Sequence, residues 1–427
     1  MNDILPEEAM RWHRLEGAFR EHAELHGYGE VRTPMLELTA LFARQIGEAT
    51  DVVEKEMYSF ERHDDALTVR PEGTAGAARA YVEHAVHAKE PVTRWYYLGP
   101  MFRGERPARG RYRQFHQAGC ELYGEAGPLA DADMIELVAA FLRAVGITAF
   151  KVHVNSLGSG ETRARYKDAL RAHLLPKKDK LSEDSQRRLD KNPLRILDSK
   201  DPRDREAAAG APAITDLLDE ADAAHWKGLL RFLDVLGVDY VVDPSLVRGL
   251  DYYTRTLFEV RATASDLGAQ NALGGGGRYD RMVRDLGGPD VPAIGFALGL
   301  ERILDVMPAE APARAPTVYV APMTELGQEK ALVLARELRS AGVAAEIDGR
   351  GGNVKTMLKR ADRRAARLFV ILGAEAERGA AGVKDLASHT QDELPLEGLG
   401  RALAERLRHA PADAPANAAA TPGRGPR

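Results

Sequence analysis

The sequence has almost no cysteine, since Cys120 is the only one among 427 residues. One thiol cannot form a disulfide within the chain or a cysteine-based zinc site, and this is typical of proteins from a reducing compartment. The N-terminal stretch MNDILPEEAMRWHRLEG lacks the apolar centre of a signal peptide, and no uninterrupted apolar run is long enough to span a bilayer. We therefore expect a cytoplasmic protein without membrane contact.

The sequence also lacks a strong charge of one sign and the common catalytic motifs. The net charge is −5, so nucleic-acid binding would depend on local basic patches. No G-x-x-x-x-G-K-[ST] loop is present, and the run 274–277 fails G-x-G-x-x-G because Tyr279 and Asp280 stand where its last glycine belongs. G-x-S-x-G is absent, and His84 and His87 form only an isolated H-x-x-H, so we predict neither a hydrolase nor a metal site. If ATP binds, arginines must hold its phosphates.

Composition changes along the chain predict several domains. Strand and helix patterns dominate residues 1–158 and 240–306, and a highly charged, helix-rich stretch over 159–239 is typical of an insertion. The proline-rich stretch 307–316 predicts a linker, 317–409 a small α/β domain with a mainly parallel sheet, and the Ala/Pro/Gly-rich stretch 410–427 a disordered tail.

Local patterns predict the elements that matter for a site. We expect a helix over 6–27, a strand in YGEVRTPMLEL that is broken by Pro34, and a helix with Thr74 as its N-cap. TRWYYLGPMFRGE and RQFHQAGCELYGE predict two strands joined by an arginine-rich loop. On the second of these strands Phe115, Gln117 and Glu121 recur at even spacing, so they share one face.

Arginines stand beside glycine or proline at four predicted strand ends, in GPMFRGER, RGRYRQFHQ, LVRGLDYY and LGLERI. Any one of them alone is typical of a solvated surface. Together they indicate a site, because strand ends expose side chains and arginine bonds phosphate oxygens in pairs. Phe115 is compatible with a core position or with stacking on adenine, and its polar neighbours Gln114 and His116 weaken the first interpretation.

Two glutamates and two tyrosines are further candidates. Glu72 in VRPEGT is compatible with a carboxylate at a helix N-terminus and equally with an anion that binds a substrate ammonium group. Glu121 lies among small and apolar residues, where a carboxylate without a partner is costly. Tyr252 and Tyr253 point to opposite faces of a strand, so at least one is compatible with the core. We interpret His116 as structural or surface-exposed.

A basic helix is predicted in NVKTMLKRADRRAAR. Only Asp362 offsets its basic residues, which are Lys355, Lys359, Arg360, Arg363, Arg364 and Arg367. A solvated surface and a face for nucleic acid are equally compatible with this pattern.

Several longer stretches occur in a fixed order: GYGEVRTPMLE, VRPEGTAG, GPMFRGERPARGRYRQFHQAGCELYG, LVRGLDYYTRTLFEV, LGGGGRYD and AIGFALGLERI. They resemble motifs of the bacterial-type histidyl-tRNA synthetases, a family of class II aminoacyl-tRNA synthetases, and the resemblance covers residues 3–400. It implies an α+β catalytic domain with an antiparallel sheet, a helical insertion and a C-terminal α/β anticodon-binding domain. It also implies a homodimer with Pro34 at the interface.

The resemblance also implies roles for individual residues. The catalytic cations are Arg103, Arg248 and Arg302. The ATP-binding residues are Arg103, Glu105, Arg111, Phe115 and Arg302. The histidine-binding residues are Glu72, Gly73, Thr74, Arg103, Gln117, Glu121, Arg248, Tyr252, Tyr253 and Tyr279. The tRNA-binding residues are Arg106, Arg109, Lys355, Lys359, Arg360 and Arg363.

The implied reaction has two steps and uses ATP and Mg²⁺. The carboxylate of L-histidine attacks the α-phosphate of ATP and forms histidyl-adenylate, and the terminal ribose of tRNA(His) then attacks the adenylate. The first nucleophile is already an anion, so positioning and charge neutralisation would account for most of the catalysis.

The sequence departs from the family at two positions. Gly104 stands where a larger residue is usual, often His or Tyr, and Ala108 replaces a residue that is polar in many members, which leaves open how the tRNA acceptor end is recognised. The alternative is a non-catalytic, histidine-binding regulatory subunit of ATP phosphoribosyltransferase. Relatives of that kind typically lack the anticodon-binding domain and have degraded histidine-specific stretches, whereas this chain keeps RGLDYYTRT and a basic C-terminal domain.

Overall fold

The computed structural model describes residues 2–46, 50, 52–106, 108–247, 250, 252–263, 271–309 and 317–409. Two compact units make up the chain, Met1–Glu310 and Ala311–Arg427. The predicted tail, most of the predicted linker and Arg248 lie outside the described residues. None of the described helices is both long and apolar enough to cross a membrane.

The helices of the first unit are α1 (Pro6–Leu25), α2 (Thr39–Ile46), α3 (Thr74–Glu83), α4 (Pro128–Ala144), α5 (Gly160–Leu174), α6 (Glu183–Lys191), α7 (Leu194–Leu197), α8 (Pro202–Ala208), α9 (Glu220–Leu236), α10 (Met282–Asp285) and α11 (Leu300–Val306). Its strands are β1 (Gly29–Glu30), β2 (Leu36–Leu38), β3 (Tyr58–Arg62), β4 (Asp65–Val69), β5 (Thr93–Phe102), β6 (Gln114–Tyr123), β7 (Phe150–Ser156), β8 (Tyr240–Val242), β9 (Thr254–Ala262), β10 (Ala272–Arg278) and β11 (Ala293–Gly299). Val52–Glu56 forms a π-helical turn, and short 3-10 turns cover Val86–Ala88, Leu175–Lys180 and Ile214–Leu217.

Eight of the described strands form one large sheet in the order β1-β5-β6-β11-β10-β9-β7-β8. The two edge pairs, β1 with β5 and β7 with β8, are parallel, and the pairs between them are antiparallel. A separate small sheet has the order β2-β4-β3. The strand predicted in YGEVRTPMLEL is broken at Pro34, as expected, since proline cannot donate to a ladder. Its two parts, β1 and β2, join different sheets, which the sequence did not predict.

Helices α1, α4 and α9 cover one face of the large sheet. Helix α1 buries Trp12, Leu15, Phe19 and Ala23, whose spacing of three or four residues gives one apolar stripe. These residues share a core cluster with α4, α9 and alternate residues of β6, β9 and β11. Cys120 belongs to this covered face, so its neighbours on β6 point to the opposite face. That opposite face carries the site.

The region that the sequence predicted as an insertion packs closely onto the rest of the first unit. Apolar residues of α5 to α8 share a second core cluster with Tyr253, Leu257 and Tyr279. Helix α9, at the C-terminal end of this region, instead packs on α4. The insertion therefore packs against the large sheet through two separate hydrophobic clusters. Its bounds, 159–239, stay a prediction.

The second unit consists of β12 (Thr317–Pro322), α12 (Glu325–Ser340), β13 (Ala344–Ile347), α13 (Val354–Arg363), β14 (Leu368–Leu372), β15 (Ala380–Asp385), β16 (Gln391–Pro395) and α14 (Leu399–His409), with a 3-10 turn at Ala374–Arg378. The sheet order is β13-β12-β14-β15-β16. Strands β13, β12 and β14 are parallel, as predicted, whereas β15 and β16 add antiparallel. The sheet is mixed, and the expectation of a mainly parallel one is corrected.

Candidate active site

An open pocket lies on the uncovered face of the large sheet. The residues around it come from the turn before α3, the ends of β5 and β6, the start of β9, and the β10, β11 and α11 segments. The predicted site residues that line it are Glu72, Thr74, Arg103, Glu105, Arg111, Phe115, Gln117, Tyr252, Tyr253 and Arg302. Folding therefore brings together residues that are up to 230 positions apart in the sequence.

Glycines lie in and beside the pocket, and Gly274, Gly275 and Gly299 line it. Glu121 on β6 pairs with Gly295 on β11, and Gln117 pairs with Gly299. A Cβ at Gly295 would lie 1.8 Å from Glu121 Oε2, and one at Gly119 would lie 2.5 Å from the hydroxyl of Tyr97. Glycine inside a strand often marks a close approach of another group, and here it leaves room for the buried side chains of the pocket.

Three guanidinium groups face one part of the pocket. Arg302 donates from Nε to the carbonyl of Gly110 at 2.9 Å and from Nη1 to the carbonyl of Ala272 at 2.8 Å. Burial, together with the positive charges of Arg111 and Arg103, lowers the pKa of Arg302. A bound polyanion would relieve this repulsion, so the arrangement suits the phosphates of a nucleotide.

Arg103 is held between its backbone neighbours and an aromatic ring. Its Nε donates to the carbonyl of Pro71 at 2.9 Å, and its Cζ lies 5.2 Å from the centre of the Phe115 ring. Glu105 lies between two of the cations, since its Oε1 is 4.0 Å from Arg103 Nη1 and its Oε2 is 3.4 Å from Arg111 Nε. The other ring surface of Phe115 is compatible with the predicted adenine stack, because the ring lines the pocket.

Glu72 caps helix α3 from the pocket side. Its Oε2 accepts the N–H of Thr74 at 2.7 Å and its Oε1 accepts the N–H of Ala75 at 2.8 Å. Gly73 holds the N-cap position and α3 begins at Thr74, so the predicted cap was wrong. Glu72 therefore satisfies two of the free N–H groups in the first turn of α3, those of Thr74 and Ala75. Burial raises the pKa of Glu72, and the two N–H groups and Arg103 oppose that effect.

Glu121 is fully buried beneath this part of the pocket. The Tyr279 hydroxyl donates to its Oε2, and its Oε1 has no hydrogen-bond partner among the described residues. The pKa of Glu121 is raised to about 8, mainly by burial and in part by the charge of Glu72, although the hydroxyls of Tyr279, Thr74 and Tyr97 act in the opposite direction. Gln117 Oε1 is likewise buried without a partner in the described part of the chain. Buried orphan acceptors are rare, and these two suit a ligand with N–H groups.

Three tyrosines form an aromatic wall, in which Tyr252 and Tyr253 line the pocket and Tyr279 packs on Tyr252 without lining it. The ring of Tyr252 lies 4.6 Å from that of Tyr253 and 5.7 Å from that of Tyr279. Burial raises the pKa of the Tyr252 and Tyr279 hydroxyls, so both stay protonated and can donate. Both tyrosines of the RGLDYY stretch line the pocket, and Tyr253 also belongs to a core cluster, as the sequence allowed for one of them. They precede β9, so the expectation that they lie on a strand is wrong.

His116 is a structural residue beside the pocket. Glu301 accepts its backbone N–H at 2.9 and 3.0 Å and lies 3.0 Å from its ring Nδ1, and the Trp12 ring packs against it at 4.7 Å. Glu301 immediately precedes Arg302, so His116 ties β6 to the helix that carries this cation. Around the same pocket, the described residues include no cluster of three or more metal-ligating side chains.

Several pocket residues were missed from the sequence. Tyr97 on β5 reaches the Thr74 hydroxyl at 3.4 Å, and Tyr112, Glu259, Leu273 and Glu301 line the pocket. Strand pairing brings Glu259 to the pocket and Tyr97 to the pocket residue Thr74, because β9 lies beside β10 and β5 lies beside β6. The only local signal for Tyr97 and Glu259 was that each is an aromatic or polar residue on a strand that begins or ends beside a candidate.

The predicted tRNA-binding residues differ in exposure. Arg106 and Arg109 are exposed on the loop between β5 and β6, and Lys355, Lys359 and Arg363 are exposed on α13. Arg360 is different, because its Nη1 lies 2.9 Å from Oδ1 of Asp348, which is 3% exposed. Its guanidinium is turned inward and joins α13 to the loop after β13.

Known proteins match this chain along nearly its whole length. A family model described as histidyl-tRNA synthetase matches residues 1–303, and one described as an anticodon-binding domain matches residues 317–406. A histidine–tRNA ligase of Sorangium cellulosum (strain So ce56) is 70% identical over 412 residues, which are 96% of this chain and 96% of that protein. A histidine–tRNA ligase of Anaeromyxobacter dehalogenans (strain 2CP-1 / ATCC BAA-258) is 48% identical over 401 residues, 93% of this chain and 95% of that protein.

A solved structure agrees with these matches. Apo histidyl-tRNA synthetase of S. aureus superposes with a TM-score of 0.79 at 33% identity, covering 95% of this chain and 98% of that one. The predicted fold class, an α+β class II catalytic domain with an insertion and a C-terminal α/β anticodon-binding domain, is thereby confirmed. The chain belongs to the histidyl-tRNA synthetase family.

Proposed function

We propose that this chain activates L-histidine with ATP and transfers the histidyl group to tRNA(His). The observation that carries this proposal is the pocket itself. One part of it concentrates the guanidinium groups of Arg103, Arg111 and Arg302, and the part beneath holds buried acceptors on Gln117 and Glu121 that lack partners among the described residues. Membership of the family supports ATP as the co-substrate and tRNA as the acceptor.

The first step needs charge neutralisation more than proton transfer. The histidine carboxylate is an anion and attacks the α-phosphate of ATP directly, with pyrophosphate as the leaving group. Arg103 and Arg302 line the pocket and would bond the phosphate oxygens, and fixed cations stabilise charge that develops in the transition state. Phe115 supplies a ring surface for adenine, and Glu105 orients the two guanidinium groups on either side of it.

The buried acceptors explain how the amino acid would be selected. A neutral imidazole offers one N–H donor and one acceptor. Glu121 Oε1 suits the donor, and the hydroxyls of Tyr252 and Tyr253 are candidates for the acceptor. Glu72 faces the same pocket with lone pairs that the α3 backbone leaves unused, which suits the α-ammonium group. An amino acid without matching polar atoms would leave these groups unpaired at high cost.

Mg²⁺ would be held mainly by the phosphates of ATP. Glu105 and Glu259 line the pocket, and magnesium usually takes one or two carboxylates together with substrate phosphates. When bound, the ion would neutralise charge on the leaving pyrophosphate. Arg248 lies outside the described residues, and its role beside the histidine carboxylate stays a prediction from the resemblance.

The second step requires the tRNA to reach both units. Arg106 and Arg109 project from the loop beside the pocket, where the acceptor end must arrive, and α13 presents cations in the unit that matches the anticodon-binding family. Their contacts with tRNA stay predictions. The regulatory-subunit alternative gains no support, because the matched relatives are histidine–tRNA ligases and the chain retains the second unit.

We also infer that the chain forms a homodimer through its small sheet. The strands of this sheet and the residue before them expose large apolar side chains, and the patch consists of Met35, Leu36, Leu38, Tyr58 and Phe60. Contiguous exposed apolar groups of this kind favour burial against a partner. Location in the cytoplasm stays a prediction.

ATP–pyrophosphate exchange tests the activation step with each amino acid in turn. We expect exchange with L-histidine and none above background with the others. Arg248→Ala should abolish the exchange and leave the protein folded and of unchanged mass. Absence of histidine-dependent exchange in the unmodified protein would refute the proposed function, and full activity of Arg248→Ala would refute only the role of that arginine.

A further inference from the structure

The first turn of α9 joins three separate segments of the first unit. Asp222 lies in this turn and is 1% exposed. Its Oδ2 accepts the backbone N–H of Ser159 at 2.6 Å and the hydroxyl of Thr162 at 3.0 Å, and its Oδ1 accepts Arg255 Nε at 2.9 Å. Ser159 and Thr162 belong to the chain that enters the insertion, α9 is the helix that leaves it, and Arg255 belongs to β9.

Arg255 stands two residues after the tyrosine pair of the pocket. Its backbone has φ +41°, a left-handed conformation that side chains with a Cβ rarely adopt. Its N–H donates to the carbonyl of Gly158 at 3.0 Å, and its own carbonyl accepts the N–H of Leu157 at 2.6 Å. Such a conformation persists only where the surroundings enforce it, and here two backbone bonds and the Asp222 carboxylate do so.

A second contact ties the insertion to the same tyrosines. Arg163 on α5 donates from Nη1 to the backbone carbonyl of Tyr253 at 2.9 Å. Tyr166 on the same helix shares a core cluster with Tyr253 and Tyr279. The backbone that carries the aromatic wall is therefore held from the insertion side by hydrogen bonds and by apolar packing.

We propose that Asp222 and Arg255 are positioning residues for the histidine pocket. Neither lines the pocket. The pair holds Arg255, at the start of β9, in its left-handed conformation. It thereby sets the position of Tyr252 and Tyr253 against the substrate ring. Histidine binding then depends on correct packing of the insertion against β9. This inference rests on the proposed function.

Steady-state ATP–pyrophosphate exchange with the full-length protein tests the pair. We expect Asp222→Asn, which keeps the size and removes the charge, to raise KM for histidine at least about tenfold, because small misplacements near a reacting substrate are costly. KM for ATP should stay within about twofold of the unmodified value, since the phosphate-binding arginines are not held by this pair.

If the Asp222→Asn variant does not fold, substitutions of Arg255 test the same pair from its other side. Arg255→Met should reproduce the rise in KM for histidine, and Arg255→Lys should recover part of the loss because it keeps the cation. The double variant of Asp222→Asn and Arg255→Met should be no worse than either single change, since groups that act through each other are not additive.

Asp204 provides the matched control. It is also a fully buried carboxylate of the insertion, and it accepts hydrogen bonds from Ser182, Ser185 and Ser199. None of these four residues lines the pocket. Asp204→Asn should lower the melting temperature and leave KM for histidine unchanged. If the Asp222 and Arg255 variants behave like this control, the pair is only structural and the inference fails. If the unmodified protein shows no histidine-dependent exchange, the proposed function fails first.

Discussion

At the scale of single residues, Glu121 is a fully buried carboxyl group whose protonation state can change near neutral pH. Its pKa is raised to about 8 by burial, and only one carboxylate oxygen has a partner among the described residues, the hydroxyl of Tyr279. An N–H group placed at Oε1 would favour the charged form. The same carboxylate can therefore be largely protonated before histidine binds and charged afterwards, which links substrate binding to proton release.

The raised pKa predicts how stability depends on pH. Between about pH 4.5 and about pH 8 the folded protein retains a proton on Glu121 that the unfolded chain has lost. The contribution of Glu121 to the free energy of unfolding is therefore complete below pH 4.5, the ordinary pKa of a glutamate. It falls as the pH rises from there and is lost at about pH 8. Relative to Glu121→Gln, we expect the unmodified protein to lose up to about 1.4 kcal/mol of unfolding free energy per pH unit over this window. Urea unfolding without ligand, at several pH values, measures it.

Glu61 supplies the control for that experiment. It is exposed on β3, so Glu61→Gln should give a pH profile parallel to that of the unmodified protein. Parallel profiles for Glu121→Gln and the unmodified protein would contradict the raised pKa.

Gly295 offers a second residue-scale prediction. A Cβ at this position would lie 1.8 Å from Glu121 Oε2 and 2.7 Å from the carbonyl of Cys120. We expect Gly295→Ala to displace Glu121, to abolish histidine-dependent exchange, and to destabilise the fold by about 1–3 kcal/mol through overpacking. Gly160→Ala is the control, because nothing lies within 4 Å of its Cβ. A normal KM for histidine in Gly295→Ala would argue against the place of Glu121 in the site.

At the scale of elements, strand β6 shows what the sequence can predict. The alternation of Phe115, Gln117 and Glu121 is a local property of an extended chain, so their shared face follows from spacing alone. Glu259 in the pocket and Tyr97 beside Thr74 could not be predicted in this way, because their positions depend on the pairing of β9 with β10 and of β5 with β6. Pairing partners depend on the whole sheet, and no local spacing encodes them.

Two wrong predictions, the N-cap of α3 and the parallel C-terminal sheet, both concern which hydrogen-bond partner a segment takes. Thr74 looked like an N-cap because its hydroxyl could bond the helix backbone, but α3 begins one residue earlier, with Gly73 at the N-cap. Glu72 accepts the N–H groups of Thr74 and Ala75 in its first turn. The C-terminal sheet looked parallel because its first strands alternate with helices, whereas β15 and β16 follow β14 with only short connections and pair antiparallel. In both cases the sequence predicts the right helix or strand, but it does not predict which group that segment bonds.

Helix α13 carries an element-scale prediction about tRNA. Changing Lys355, Lys359 and Arg363 together to Gln should raise KM for tRNA in aminoacylation and leave pyrophosphate exchange unchanged. The salt dependence of tRNA binding should also weaken, by about one unit of slope for each lost phosphate contact. Lys330→Gln with Arg336→Gln on α12 is the control, because both are exposed cations of the same unit. Equal loss of exchange and aminoacylation would contradict a role confined to tRNA.

At the scale of the whole molecule, the charge distribution is consistent with a tRNA-binding enzyme of acidic net charge. The chain carries −5 overall, yet exposed cations cluster on the loop beside the pocket and on α13, one cluster in each unit. A polyanion that bound both clusters would bind more tightly than to either one, because binding at one cluster raises its effective concentration at the other. A net positive charge is unnecessary when the cations are concentrated in this way.

The exposed apolar patch of the small sheet leads to a prediction about assembly. Leu36 is 49% exposed and Phe60 is 43% exposed, and both belong to this sheet. We expect the unmodified protein to have twice the mass of one chain in sedimentation or light scattering, and Leu36→Glu with Phe60→Glu to reduce it to a single chain mass, since unpaired charges are costly inside an apolar interface. Val235→Glu is the control, because Val235 is 79% exposed on α9 away from the patch. A monomeric unmodified protein, or a dimer that survives both glutamates, would rule out this interface.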